Sequence, residues 1–274
     1  MRILSKTEKR NPKTTHIDKS STLEMLQLIQ EENYNATRAV EEAIPNIVLA
    51  VDAISERMKK GGRLIYIGAG TSGRLGVIDA AECPPTFGVD HRLVRGIMAG
   101  GEDAMFRAVE GAEDDEARGA EELLADGVST GDVVVGLSAS GGAPYVLGAL
   151  KKAREIGAIP MGITCNPESR MHPLCDVTIA PYVGPEVITG SSRLKAGTAQ
   201  KLVLNMLSTG AMVKTGKVVG NLMVNVRPTN SKLRDRCIRI LMELGDCDRD
   251  TATALIDEYG DIRKSLTELE RRDK

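Results

Sequence analysis

Three groups of residues in this chain have types and spacings suited to chemistry. The first lies in "RLIYIGAGTSGRLG", where the apolar residues 64–67 lead into Gly70, Thr71, Ser72 and Gly73. The second lies in "DVVVGLSASGGAPYVLGAL", where residues 133–135 lead into Ser138, Ala139, Ser140 and Gly141. Each reads as a strand, a glycine- and hydroxyl-rich turn, and a helix start. Unpaired backbone N–H groups, hydroxyls and the positive helix end then converge on one spot, which suits an anion. Two such turns on one parallel sheet would hold one small phosphorylated ligand from two sides. Ser191 and Ser192 form a further hydroxyl pair at a loop–helix junction.

The third group is carboxylates, which can serve as general acid and base. Glu82, in "DAAECPPTFG", is expected at the end of the helix fed by the first turn, with Pro84 and Pro85 stopping that helix and stiffening the loop. An acid at a helix C-terminus is electrostatically unfavourable, so its presence there calls for a reason. A second acidic region, "VEGAEDDEARGAEELL", holds Glu110, Glu113, Asp114, Asp115 and Glu116. Acids at a helix start commonly do no more than complement its dipole, so residue type alone singles out none of these.

Other chemistries find less support. "GAGTSG" formally satisfies GxGxxG, but the acid expected about 20 residues on for a dinucleotide ribose is missing at the next strand end. No phosphate-binding GxxxxGK[ST] loop occurs. His16, His91 and His172 are far apart and the five cysteines form no CxxC pair, so no metal site is expected. The scattered, odd-numbered cysteines fit free thiols in a reducing compartment. With 36 Lys and Arg against 38 Asp and Glu, a net charge of −2 and no Trp, nucleic acid is not an expected partner. No apolar run reaches membrane-spanning length and the first residues lack a signal-peptide core, so a cytoplasmic protein is expected.

Several elements must position these groups. Residues 1–20 are polar and read as extended. Ser21 and Glu24 form a capping-box pattern that opens a helix. A second helix is expected over about 36–60, with Pro45 as a kink and Gly61-Gly62 as its stop. Apolar runs at 63–68, 93–98, 132–137, 159–164 and 176–180 alternate with helical stretches. Such continuous runs fit central parallel strands covered on both faces. The pattern predicts an α/β fold, a three-layer αβα sandwich around a five-stranded parallel sheet. A long helix is expected over about 193–217, then three short helices broken near Gly245 and Gly260. The expected organisation is an N-terminal segment with helices (1–55), a sugar-phosphate-binding domain (56–225) and a small C-terminal helical domain (226–274).

The strings "GAGTSGRLGVIDAAECPPTFG", "VEGAED", "SASGGAPYVLGAL" and "VITGSSRLKAGTAQKLVLNMLSTGAMVKTGKVVGNLM" closely resemble the N-acetylmuramic acid 6-phosphate etherases of the sugar isomerase (SIS) superfamily, whose sheet is flavodoxin-like. The resemblance extends to "NPKTTHIDKSSTLEML" and covers nearly the whole chain, its last helices matching only in general, ubiquitin-associated-like character. It implies cleavage of the C3 D-lactyl ether to N-acetylglucosamine 6-phosphate and D-lactate, without metal or redox cofactor. It implies Glu82 as a catalytic acid and Glu113 as a second acid/base, and places Lys195 with the substrate-binding residues. One departure stands out: the family commonly reads "SGRTPY" where this chain has Gly142 and Ala143. An aldose–ketose isomerase using one glutamate base, and a non-catalytic sugar-phosphate sensor, are the alternatives. A homodimer is expected, with the active site near the subunit boundary, because the helices carry more apolar surface than one sheet face needs.

Overall fold

The five apolar runs form five strands, each within a residue of its expected bounds at either end. The computed structural model describes residues 8–272. In chain order the elements are α1 (Thr22–Glu42), α2 (Ile44–Lys59), β1 (Leu64–Gly68), α3 (Gly70–Phe87), β2 (Val94–Met98), α4 (Asp103–Phe106), α5 (Glu116–Ala125), β3 (Val133–Leu137), α6 (Pro144–Ile156), β4 (Ile159–Ile163), β5 (Val177–Ile179), α7 (Lys195–Lys214), α8 (Ser231–Gly245), α9 (Arg249–Tyr259) and α10 (Ile262–Arg272). Two compact units result. The first holds the described residues up to Ala81 with Arg92–Ala211, and the second holds Glu82–His91 with those from Met212 onward.

In the first unit all strands are parallel, in the order β2-β1-β3-β4-β5. Every residue of β1 and β3 is buried, as a sheet covered on both sides requires. Side chains alternate between the faces. Ile65, Ile67 and Val134 pack into one cluster with Leu123 of α5 and Val146, Leu147 and Leu150 of α6. On the opposite face, Gly76 of α3 lies against Tyr66 and Leu137. Lys201 of α7 bonds Asp79 of α3, and Gly210 of α7 abuts Val51 of α2, so α2, α3 and α7 make the second helical layer. The expected three-layer sandwich is therefore present.

Polar residues fix the ends of the sheet. Asp132, just before β3, is buried; its carboxylate accepts from Arg63 Nη2 at 2.8 Å and from the backbone N–H groups of Arg63 and Ser129. Arg63 also reaches the Asp126 carboxylate at 3.1 Å.

The helix boundaries differ from the sequence pattern in three places. Residues 12–14 and 17–19 form short 3-10 turns rather than extended chain. The Ser21 and Glu24 capping box is present, but α1 runs on to Glu42 and breaks at Ala43. Pro45 then sits in the first turn of α2, where its missing N–H costs nothing, so it starts a helix instead of kinking one. Nor do Pro84 and Pro85 end α3, which continues through both to Phe87. Each proline removes a backbone rung, but buried Cys83 and Phe87 anchor this last stretch, and the Gly88 N–H closes it on the Pro84 carbonyl at 2.9 Å.

The second unit is organised by α8, α9 and α10. Cys237, Ile238 and Leu241 of α8 share a core with Leu255 and Ile256 of α9 and Ile262 of α10, and Val224 and Val226 join from the preceding segment. Asn230 and Asp248 cap α8 and α9 with side-chain oxygens that accept from Leu233 N–H and Thr251 N–H.

Candidate active site

The strand order places both glycine-rich turns at the point where the chain's crossovers diverge. From β1 the chain leaves through α3 towards β2 on one side, while β3 lies on the other. Gly68 and Leu137, the last residues of β1 and β3, are register partners, so the two turns start side by side at the carboxyl edge of the sheet. In open parallel sheets this is where ligands bind.

The first turn opens α3. Gly70 adopts φ +53, a conformation that favours glycine. A Cβ on Gly73 would lie 2.7 Å from the Gly68 carbonyl, so only glycine lets the first helical turn press onto the strand end. Ser72 is buried, and its Oγ donates to Gln200 Oε1 of α7 at 2.8 Å. Thr71 is partly exposed beside it.

The second turn is tied down from behind. The carbonyls of Ala139, Ser140 and Gly141 accept, respectively, from Cys165 N–H at 2.9 Å, Asn166 Nδ2 at 3.1 Å and Ser169 Oγ at 3.1 Å. The Ser138 and Ser140 hydroxyls in turn accept from the N–H groups of Gly141 and Gly142. Both hydroxyls thereby keep their own protons for another acceptor. Gly141 holds φ +69, and a Cβ there would fall 1.8 Å from Ser169 Oγ. Ala143 occupies the N-cap of α6 without a side-chain capping bond, so the first N–H groups of that helix keep their donors. The departure at Ala143 removes a hydroxyl while leaving the backbone cradle in place.

The third hydroxyl pair differs. Ser191 and Ser192 are partly buried, but the N-terminus of α7 behind them is already occupied. Glu186 accepts from Lys195 N–H at 3.0 Å and Ala196 N–H at 2.9 Å, and Gly197 N–H bonds the Ser192 carbonyl. Burial pushes the Glu186 carboxyl above its usual range, against those bonds. The Lys195 side chain is buried, with its ammonium committed to Glu32 and to the Pro185 carbonyl at 2.7 Å. Burial would raise the Glu32 carboxyl, but Lys195 outweighs it and holds that group below the usual range. Asn11 and Thr14 clip the N-terminal segment to the Pro185 and Val187 carbonyls.

The carboxylates sort by what they touch. Asp115 caps α5, accepting from Arg118 N–H at 2.9 Å, and Glu116 pairs with Lys151 at 2.6 Å. Glu113 lies in a 3-10 turn entered through Gly111, which is left-handed at φ +74. It is exposed and makes no hydrogen bond or ion pair among the described residues. Glu82 is likewise exposed and uncommitted; it lies on α3, in the stretch that groups with the second unit. The structure thus places the two turns together in the first unit, along with Glu113.

A protein of Pasteurella multocida named N-acetylmuramic acid 6-phosphate etherase is 54% identical over 96% of this chain and 88% of its own length. The chain belongs to the N-acetylmuramic acid 6-phosphate etherase family. An etherase of that name from Clostridium botulinum is also 54% identical, over the same shares of both chains. Models of the SIS domain and of the glucokinase regulatory protein N-terminal SIS domain match residues 114–210 and 46–154. A phosphoheptose isomerase from Francisella tularensis superposes with a TM-score of 0.55 at 16% identity, over 71% of this chain and 100% of that one; it shares the fold. For this etherase-family chain, sequence reasoning missed Gln200, Asn166, Ser169 and Glu186. Each is an ordinary polar residue whose partner is distant in sequence or whose role is to hold a turn, and no local pattern marks either.

Proposed function

We propose that the chain cleaves the C3 lactyl ether of N-acetylmuramic acid 6-phosphate with Glu82 and Glu113 as its acid/base pair, the 6-phosphate held by the turns at Gly70–Gly73 and Ser138–Gly141. In the ring-opened sugar the C1 aldehyde acidifies the C2 proton. One carboxylate takes that proton, the C3–O bond breaks, and the other carboxyl protonates the departing D-lactate oxygen. Water then adds at C3 of the unsaturated aldehyde while C2 regains a proton, giving N-acetylglucosamine 6-phosphate. One of the two carboxyls must therefore hold its proton at the start of each cycle.

Both glutamates are uncommitted, while Asp115 and Glu116 beside Glu113 are spent on a helix cap and an ion pair. Glu110 and Asp114 are exposed and, among the described residues, uncommitted as well, so the observation that carries the choice of Glu113 is the likeness of "VEGAED" to the family's motif. Membership of the etherase family supports it. We further read the chain as a cytoplasmic homodimer with its active site near the subunit boundary. Leu23 and Leu26 of α1 and Val48 and Leu49 of α2 are each at least half exposed, which favours a partner surface.

The test is D-lactate release from N-acetylmuramic acid 6-phosphate by the wild type, Glu82→Gln and Glu113→Gln. Loss of an acid/base group is expected to lower turnover by about 10²–10⁴-fold in either variant, with unchanged melting temperature. Turnover near wild type in either would remove that residue from the mechanism.

A further inference from the structure

Among the described residues, one buried side-chain nitrogen or oxygen has no hydrogen-bond partner: Nε2 of Gln200. Gln200 is 1% exposed on α7, and a buried amide N–H without a partner is both costly and rare. Its location gives the orphan a meaning. The other end of the same carboxamide, Oε1, receives the Ser72 hydroxyl proton at 2.8 Å, in the first turn of α3.

Ser72 has a single proton to give. A phosphate monoester dianion presents only acceptors, so Ser72 cannot serve it while donating to Gln200. Ser138 and Ser140 are in the opposite condition, since they accept from Gly141 and Gly142 and keep their protons. Turning the Gln200 carboxamide end for end would place Nε2 against Ser72 Oγ. The hydroxyl would then accept from the amide and release its proton towards the ligand. The unpaired position would pass from the N–H₂ to the carbonyl, which tolerates it better.

We propose that Gln200 is a positioning residue of the sugar-phosphate site, whose carboxamide sets the direction of the Ser72 hydroxyl proton and reverses when the 6-phosphate arrives. This rests on the reading that the turn at Gly70–Gly73 holds the phosphate.

The experiment is steady-state D-lactate release by Gln200→Met, Gln200→Glu, Ser72→Ala and the double variants. Gln200→Met keeps the size and apolar burial of the side chain but cannot turn a donor to Ser72. It removes both the acceptor that takes the Ser72 proton and the donor that would hold its oxygen, so it is expected to keep KM within about threefold of wild type. Gln200→Glu, an acceptor of the same shape that cannot turn an amide donor to Ser72, keeps the Ser72 proton from the ligand. It is expected to raise KM about tenfold, the worth of one hydrogen bond to a charged group, with kcat changed by less than a factor of about two. Added to Ser72→Ala, neither substitution is expected to change KM further. A wild-type KM in Gln200→Glu, a fall in kcat alone, or full additivity with Ser72→Ala would overturn the role of Gln200. A wild-type KM in Ser72→Ala would instead overturn the phosphate reading of the first turn, and the role of Gln200 with it.

Discussion

Asp132 is a buried carboxylate kept charged by its surroundings, and that makes its contribution to stability depend on pH. Burial works against the charge, but the hydrogen bonds and charge of Arg63, with the N–H groups of Ser129 and Arg63, outweigh it and hold the carboxyl below the usual aspartate range. The unfolded group titrates near pH ~3.9. With a depressed folded value, the stabilisation is fully present above about pH 5 and is lost as pH falls through the folded value. Asp132→Asn is expected to cost about 3 kcal/mol at pH 7, because it leaves Arg63 without its main partner. Urea unfolding of both proteins at pH 7, 5 and 3 checks this. The gap should hold from pH 7 to 5 and shrink by pH 3, and a constant gap would remove Asp132 as its source. At this scale the sequence is least informative. Ser72 and Gln200 are 128 residues apart and Glu32 and Lys195 are 163 apart, so residue type and local spacing reveal neither pairing.

At the scale of elements, α5 and α6 approach so closely that glycines set the separation. A Cβ on Gly119 of α5 would lie 1.9 Å from the Tyr145 carbonyl, and one on Gly148 of α6 would lie 1.9 Å from the Glu116 carbonyl. In an exposed helix Gly→Ala stabilises by about 1 kcal/mol. Here the sign reverses, since backbone cannot step aside as a flexible side chain can. Gly148→Ala is expected to lower stability by about 1–3 kcal/mol, read as a fall in the urea midpoint. An unchanged or raised midpoint would mean that the helices part without cost. Elements were also where the sequence was most legible. Strands buried on both faces appear as unbroken apolar runs, and the Ser21 and Glu24 pair marks a helix start by its own hydrogen bonds. The ambiguous marks were prolines. Pro45 suits either a kink or a first turn, and whether Pro84 and Pro85 end α3 depends on the burial of Cys83 and Phe87, which no local pattern shows.

At the scale of the whole molecule, the apolar residues left at the surface of α1 and α2 call for a partner, and a second copy is the proposed one. Light scattering at micromolar concentration is expected to give twice the chain mass, and a single-chain mass would refute the dimer. Among the described residues no helix is long and apolar enough to cross a membrane. No disulfide joins any of the five cysteines, in keeping with the thiols expected from their spacing. The turn after β3 has a consequence that reaches beyond its own contacts. Its three successive carbonyls are each fastened to the segment Cys165–Ser169. If the Ala139 peptide plane rotated, an oxygen would take the place of the Ser140 N–H, and rotation of either of the next two planes would break the bond by which Gly141 or Gly142 leaves a serine hydroxyl its own proton. Fastening all three planes opposes these rotations, so the proposed phosphate site keeps its donors without relying on a mobile cationic side chain.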